Sequence, residues 1–474
     1  MKTYCKNMDI ADKQFIACAI WDYTHDKRGK RQLQEFYARW GGKTFSEARF
    51  LLKFACNPSY ISHLVKNGTP KEDAQKIFDT GFQFYNTVID QLAESMASHI
   101  RNRTVREHIE ELRNHEDVIR YLEITDVGSR KRRDLGLECF IFRLYETVAN
   151  KAADPLFSAK VGEFQVASIP NKGQKYGKRA VSKWLSQDPE GTKIGCKADV
   201  TRCYPSIDHA KLRQMLHRDL RKNRDLVYLF DEIIDLYEIY PNPKAEPGKG
   251  ILIGSPVSKD LCNYYMSRLY HYACERLFKE KTRRGKTVRT RLINHIIIYM
   301  DDIQIYGSNK KDVQRAMQLL IGFAWKELGL VIKANWRKFR SMYRDASGTT
   351  RGCLLDFMGF RFHGGKVGQK NYFGRVVKYR EVWVTLRRRT FKKARRKFER
   401  FTRMVKRKEE VSFRFVKSLT SYFGCFKQTD SVSFRRRAKI DQKMRIARMI
   451  VSDYAKGNPY DKEKYYRVWR DKCA

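Results

Sequence analysis

Acidic side chains are in short supply in this chain. Asp and Glu number 53 against 97 Lys and Arg, which leaves a formal net charge of +44. Such an imbalance repels itself unless a polyanion compensates, so nucleic acid is the expected partner. Long apolar runs are missing as well. The longest, around Leu292–Met300, falls far short of the roughly 20 residues of a membrane-crossing helix, so no membrane partner is expected. The opening Met1-Lys-Thr-Tyr-Cys-Lys-Asn has no apolar core and predicts no secretory signal. None of the 11 cysteines stands in a Cys-x-x-Cys pair, so neither a zinc site nor a disulfide framework is predicted, and a reducing cytoplasm fits. Proline is sparse at 11 residues, and no repeat or long low-complexity linker divides the chain. What remains is 474 residues that are 42% hydrophobic, enough for several subdomains around a substantial core.

The most informative stretch is 292–307. Two β-branched runs, Ile296–Tyr299 and Ile303–Tyr306, flank the adjacent carboxylates Asp301 and Asp302. Ile and Tyr favour strands, and the short break between the runs is the length of a tight hairpin turn. Two acids at such a tip repel each other unless a cation lies between them and something anionic. Mg²⁺ suits this, because it takes few protein carboxylates and completes its shell with water and phosphate.

Upstream, residues 1–45 read as helical around a polar turn at 24–29 and residues 46–125 as mixed helical segments, with His108 and His115 as solvated surface. A basic cluster at Gly128–Asp134 and a Gly/Lys-rich loop at Ile169–Arg179 could present N–H groups and cations to phosphates. A short strand ends in Asp199 and is followed by a turn at Tyr204-Pro205 and a helix from about Asp208. Residues 225–239 predict an amphipathic helix, and Gly254-Ser255 a small-residue turn before another. Residues 281–291 read as a basic loop. Beyond the hairpin come a helix over 313–328, a strand over 330–338, and an alternating strand over 355–363. Between Leu386 and Lys408, 13 of 23 residues are Lys or Arg, yet Phe391, Ala394, Phe398, Phe401 and Val405 keep one helical stripe. That predicts a basic helical bundle, with two further helices over 413–426 and 434–454, gripping a phosphate backbone. A strand-end acid, a paired acid and flanking basic elements together suit two-metal phosphoryl transfer.

The motifs carry a specific resemblance. Tyr299-Met-Asp-Asp302 resembles the signature of reverse transcriptases, and Asp199-Val-Thr-Arg-Cys-Tyr-Pro-Ser-Ile-Asp-His209 the family's first carboxylate motif. Ile253-Gly254-Ser255 with Ser258, Leu328-Gly329-Leu330 and Phe357-Met-Gly-Phe360 resemble the other motifs in order. The phrasing is most similar to bacterial enzymes of the group II intron, retron, diversity-generating and phage-defence kinds. The resemblance implies an α+β right-hand polymerase. Its expected parts are a helical extension (1–127), fingers (128–195 with part of 210–250), a palm with an antiparallel sheet (196–374) and a basic helical thumb (375–474).

By position, Asp199 and Asp301 would bind two Mg²⁺ ions (Mn²⁺ being the alternative) with the Val200 carbonyl, and Asp302 would assist. Tyr204 would be the steric gate against ribose, with Ile253, Gly254 and Ser255 at the nascent pair. Lys131 and Arg133 would meet the triphosphate, and Lys172 and Arg179 template or nucleotide. The thumb cations Arg388, Lys392, Arg395 and Arg396 would meet nucleic acid, and Lys333 or Lys338 would protonate pyrophosphate. One departure is Ile253, where many relatives have Gln, and it puts ordinary template fidelity in question. No ribonuclease H-like or endonuclease motif is left over. The implied function is RNA-directed DNA synthesis from dNTPs on a partner structured noncoding RNA, in antiphage defence. The alternatives are the error-prone enzyme of a diversity-generating element or a non-catalytic maturase-like RNA binder. A homo-oligomer or an accessory protein is a further expected partner.

Overall fold

Amphipathic stripes and alternating strands sort this chain into two compact units in a computed structural model that describes residues 2–113, 116–125, 132–372 and 375–473. One unit comprises residues 1–168, 199–272 and 320–333; the other comprises 169–198, 273–319 and 334–474. The architecture is α+β, with helices throughout and sheets that are antiparallel apart from isolated contacts.

The first unit is mainly helical. Its longest helix, Lys71–Arg101, buries Tyr85, Val88, Ile89, Leu92, Met96 and Ile100 at three- and four-residue spacing, the stripe that an amphipathic helix lays on a core. It packs on helix Lys13–Thr24, where the Thr24 hydroxyl lies 2.6 Å from the Tyr85 hydroxyl. Helix Phe140–Ala152 is buried on nearly every side. Beside it runs Arg224–Ile239, capped by Asn223, whose side chain accepts the Leu226 N–H at 3.0 Å. A two-stranded ribbon, β1 (Ile119–Thr125) and β2 (Arg132–Glu138), joins this unit. Residues 119–125 are thus a strand and not helix. His108 is also not surface: it is 2% exposed, stacked at 4.0 Å on His99 and bonded to the Tyr145 hydroxyl at 2.6 Å. Burial, with His99 adding, pushes its pKa down to about 3. His115 lies outside the described residues.

The second unit holds the larger sheets, with the strand Ile194–Asp199 counted in it up to Ala198. β3 (Ile194–Asp199), β6 (His295–Tyr299), β7 (Asp302–Gly307) and β8 (Arg337–Arg340) form a sheet in the order β6-β7-β3-β8. Ile296–Ile298 and Ile303–Tyr306 are all buried, so both faces of this hairpin are covered. β4 (Phe278–Arg283) and β5 (Lys286–Arg291) pair with each other, which replaces the expected loop with a ribbon. A further sheet contains β9 (Tyr343–Arg344), β10 (Thr350–Arg351), β11 (Leu355–Phe357), β12 (Phe360–Tyr372) and β13 (Arg375–Leu386). Helix Arg388–Lys406 follows, burying Ala394, Phe398, Phe401 and Val405 as its stripe predicts. Among the described residues, no helix is long and apolar enough to cross a membrane.

Candidate active site

Tyr299 pairs with Asp302 across β6 and β7, so Met300 and Asp301 alone make the turn. Met300 adopts φ +53°, a left-handed conformation that costs a residue with a side chain about 1–2 kcal/mol. Asp301 is exposed and Asp302 half-buried at the head of β7. The Lys197 ammonium lies 3.7 Å from an Asp302 carboxylate oxygen, with both side chains about one-third exposed at 32%. Asp199 ends β3 two residues beyond Lys197, on the same face of the strand by its two-residue period.

The helix Gly173–Gln187 lies along β6 in the opposite sense. Trp184, near its end, stacks on His295 at 4.7 Å, while Gln174, in its first turn, hydrogen-bonds the Tyr299 hydroxyl. Burial pushes the Tyr299 phenol up and the Asp302 charge adds to it, against the Gln174 bond. The positive end of this helix therefore faces the same end of the sheet as the acid turn. Lys172 is its N-cap residue, and Arg179 is exposed along its length.

In the other unit, Asp199–Thr201 pairs briefly with Val331–Lys333. The Lys333 N–H donates to the Asp199 carbonyl at 2.9 Å and the Thr201 N–H to the Val331 carbonyl at 2.8 Å, around a Val200–Ile332 bridge. Neither bond uses the Val200 carbonyl. The Lys333 ammonium stands 3.5 Å from an Asp199 carboxylate oxygen. Lys338 instead donates to the Gln314 side chain, so the two lysines that the sequence could not separate have different neighbours.

Tyr204 opens a short 3₁₀ turn and is half-buried. Its carbonyl accepts the Ile251 N–H at 3.0 Å, and the Ile253 carbonyl accepts the Gly136 N–H at 3.1 Å. The backbone thus ties Tyr204 and β2 to the two ends of one segment. Gly254 adopts φ +115°, a backbone conformation that residues with a side chain rarely take, and a Cβ there would come within 2.8 Å of the tip of the Leu135 side chain. Arg133 is exposed on β2, while Lys131 lies outside the described residues. Arg388, Lys392, Arg395 and Arg396 form an exposed stripe on helix Arg388–Lys406, with Arg395 paired to Glu399 at 2.6 Å.

Sequence reasoning missed three participants. Lys197 carried a findable signal, because residues two apart on a strand share a face. Gln174 carried none. The third is Glu146, wholly buried beneath Ser255: Tyr237 donates to it at 2.6 Å and lies 3.3 Å from the Ser255 hydroxyl. Burial first and the nearby Glu138 second push the Glu146 carboxyl far above the usual range, so it is held protonated. Such a group binds its proton more tightly folded than unfolded. Its stabilising contribution is complete below the ordinary carboxylate range and shrinks as pH rises toward the folded value. Glu146→Gln keeps the Tyr237 bond without titrating. Relative to wild type, it is expected to gain up to about 1.4 kcal/mol per pH unit above roughly pH 4.3. Chemical unfolding at pH 5, 7 and 8 checks this, and parallel pH slopes would refute it.

The family described as "Reverse transcriptase (RNA-dependent DNA polymerase)" matches residues 124–372, more than half of the chain. No curated protein matches. Among the 146 solved chains that match is the structure of apo telomerase from Candida Tropicalis truncated from its C-terminal domain. It is 10% identical, with a TM-score of 0.33 over 64% of this chain and 68% of that one.

Proposed function

We propose, from the premise that this chain belongs to the reverse transcriptase (RNA-dependent DNA polymerase) family, that Asp199, Asp301 and Asp302 form its polymerising centre. The observation that carries this reading is the acid-tipped two-residue turn on a sheet where β7 lies beside β3, with Lys197 at 3.7 Å from Asp302. The family uses RNA templates and dNTP substrates, and it generally works with divalent metal ions.

The donor set fits Mg²⁺. It consists of hard carboxylate oxygens plus the Val200 carbonyl, and among the described residues no three His, Cys, Asp or Glu side chains close into a cage. An ion that keeps water and phosphate in its shell needs only one or two carboxylates from the protein. When bound, such ions stabilise an attacking 3′-oxygen and a leaving pyrophosphate. The chain's own groups do the remainder. Tyr204 sets its ring against a 2′-hydroxyl, and Gly254 and Ser255 shape the floor of the nascent pair. Arg133 and the positive end of helix Gly173–Gln187, with Lys172 and Arg179, hold phosphates. Lys333 is the better placed general acid because it already stands beside Asp199.

In this reading residues 128–195 with part of 210–250 are fingers, 196–374 palm and 375–474 thumb, whose Arg388, Lys392, Arg395 and Arg396 track a backbone. The bacterial phrasing of 199–209 supports an enzyme that copies a structured noncoding RNA in phage defence. Ile253 favours a second reading, error-prone synthesis in a diversity-generating element, because an apolar side chain there offers shape without a hydrogen bond. The test is extension of oligo(dT) on poly(rA) with Mg²⁺. Incorporation of dTTP that stops on chelation and returns with added Mg²⁺ is expected. Extension that persists in excess chelator would sink the metal-dependent reading.

A further inference from the structure

Residues 278–291, Phe-Lys-Glu-Lys-Thr-Arg-Arg-Gly-Lys-Thr-Val-Arg-Thr-Arg, carry seven cations against the single acid Glu280. They form the β4–β5 ribbon, which pairs with no other described strand. Arg284 and Gly285 turn it at φ +50° and +72°, the left-handed pair of a tight hairpin whose twist matches its strands. Every residue from Lys286 to Arg291 is exposed, Val288 at 55% included. An isolated two-stranded ribbon is marginal in water, and seven cations on it repel one another, so it needs an outside anion.

Its root is firm. Leu277 and Leu292 are each 1% exposed and joined by a 2.9 Å backbone bond, and Lys279 pairs with Asp312. Asn294 donates to the Tyr306 carbonyl at 2.7 Å. The root thus meets the sheet at the His295 end of β6. The Met300-Asp301 turn is at the other end, about 16 Å away at roughly 3.3 Å per strand residue.

We infer that this ribbon is a second nucleic-acid contact, a clamp on the sugar–phosphate backbone of a base-paired RNA stem outside the polymerising centre. Composition decides between kinds of nucleic acid. Single strands are held by stacking bases on aromatic rings, and the ribbon's one ring, Phe278, is half-buried with Arg289 lying over it at 4.2 Å. What it presents is Lys, Arg and the hydroxyls of Thr282, Thr287 and Thr290, the groups that meet phosphates and 2′-hydroxyls on a stem read by shape. The inference deepens the proposed function by naming where a structured RNA is held.

The test is a triple variant, Arg284→Gln, Lys286→Gln and Arg289→Gln, titrated with a blunt RNA hairpin and with a DNA hairpin of the same sequence. Affinity for the RNA stem is expected to fall about 10- to 100-fold. Its log–log salt slope should shrink by roughly one per contact removed. Extension of oligo(dT) on poly(rA) should stay within about twofold of wild type, which also reports that the variant folds. Unchanged stem affinity and slope would overturn the inference, as would an equal loss on the DNA hairpin or a matching loss of extension. A wild type that binds the stem but extends nothing would count against the polymerase reading and leave the clamp standing.

Discussion

Replacing Asp301 by Ala is expected to abolish dNTP incorporation, with a loss of at least about a thousandfold, while leaving RNA binding unchanged. The size follows from the chemistry. Positioned metal ions supply several kcal/mol of transition-state stabilisation, and about 4 kcal/mol is a factor of a thousand in rate. Selectivity follows from the surroundings. Asp301 is exposed in a two-residue turn whose backbone strain is carried by Met300, and Ala accepts an ordinary turn conformation without loss of a buried contact. Such surface changes typically move stability by less than about 0.5 kcal/mol. Primer extension on poly(rA), with RNA affinity measured alongside, separates the two effects. A variant that still synthesises DNA would remove Asp301 from the centre.

Tyr204→Ala is expected to raise ribonucleotide incorporation relative to deoxynucleotide by about 30- to 100-fold. A ring pressed against a 2′-hydroxyl is an overpacked contact costing roughly 2–3 kcal/mol, and each 1.4 kcal/mol is tenfold. The backbone bond from Ile251 to the Tyr204 carbonyl survives this substitution, so the turn keeps its shape and only the ring is lost. The ratio of kcat/KM for rNTP and dNTP on one template is the readout. An unchanged ratio would mean that the ring only packs.

The central hairpin was legible because its runs are β-branched on both sides of a gap that only a tight turn fits. The basic helix was legible because its phenylalanines keep helical spacing through a crowd of charge. The β4–β5 ribbon was not, since it is polar on both faces and so shows no alternation, and its turn is Arg-Gly in place of Asn-Gly. Much of β12, Gly364-Gly-Lys-Val-Gly-Gln-Lys, lacks the apolar residues that betray a strand, although it pairs with β13 over most of its length. β1 fell at the end of the N-terminal stretch read as mixed helical segments. Glu146 was invisible for another reason. Nothing local marks a carboxylate whose charge is suppressed by burial in the packed unit, and the choice of Lys333 over Lys338 likewise waits on which carboxylate each one meets.

The left-handed apex at Met300 also acts as a detent. Sliding β6 past β7 by one residue would hand the costly conformation to a neighbour such as Tyr299 and rotate Ile296 and Ile298 to the opposite surface. Because the side chains above and below the sheet lock the same alignment that the apex permits, the two carboxylates have one seat and no adjacent one to slip into.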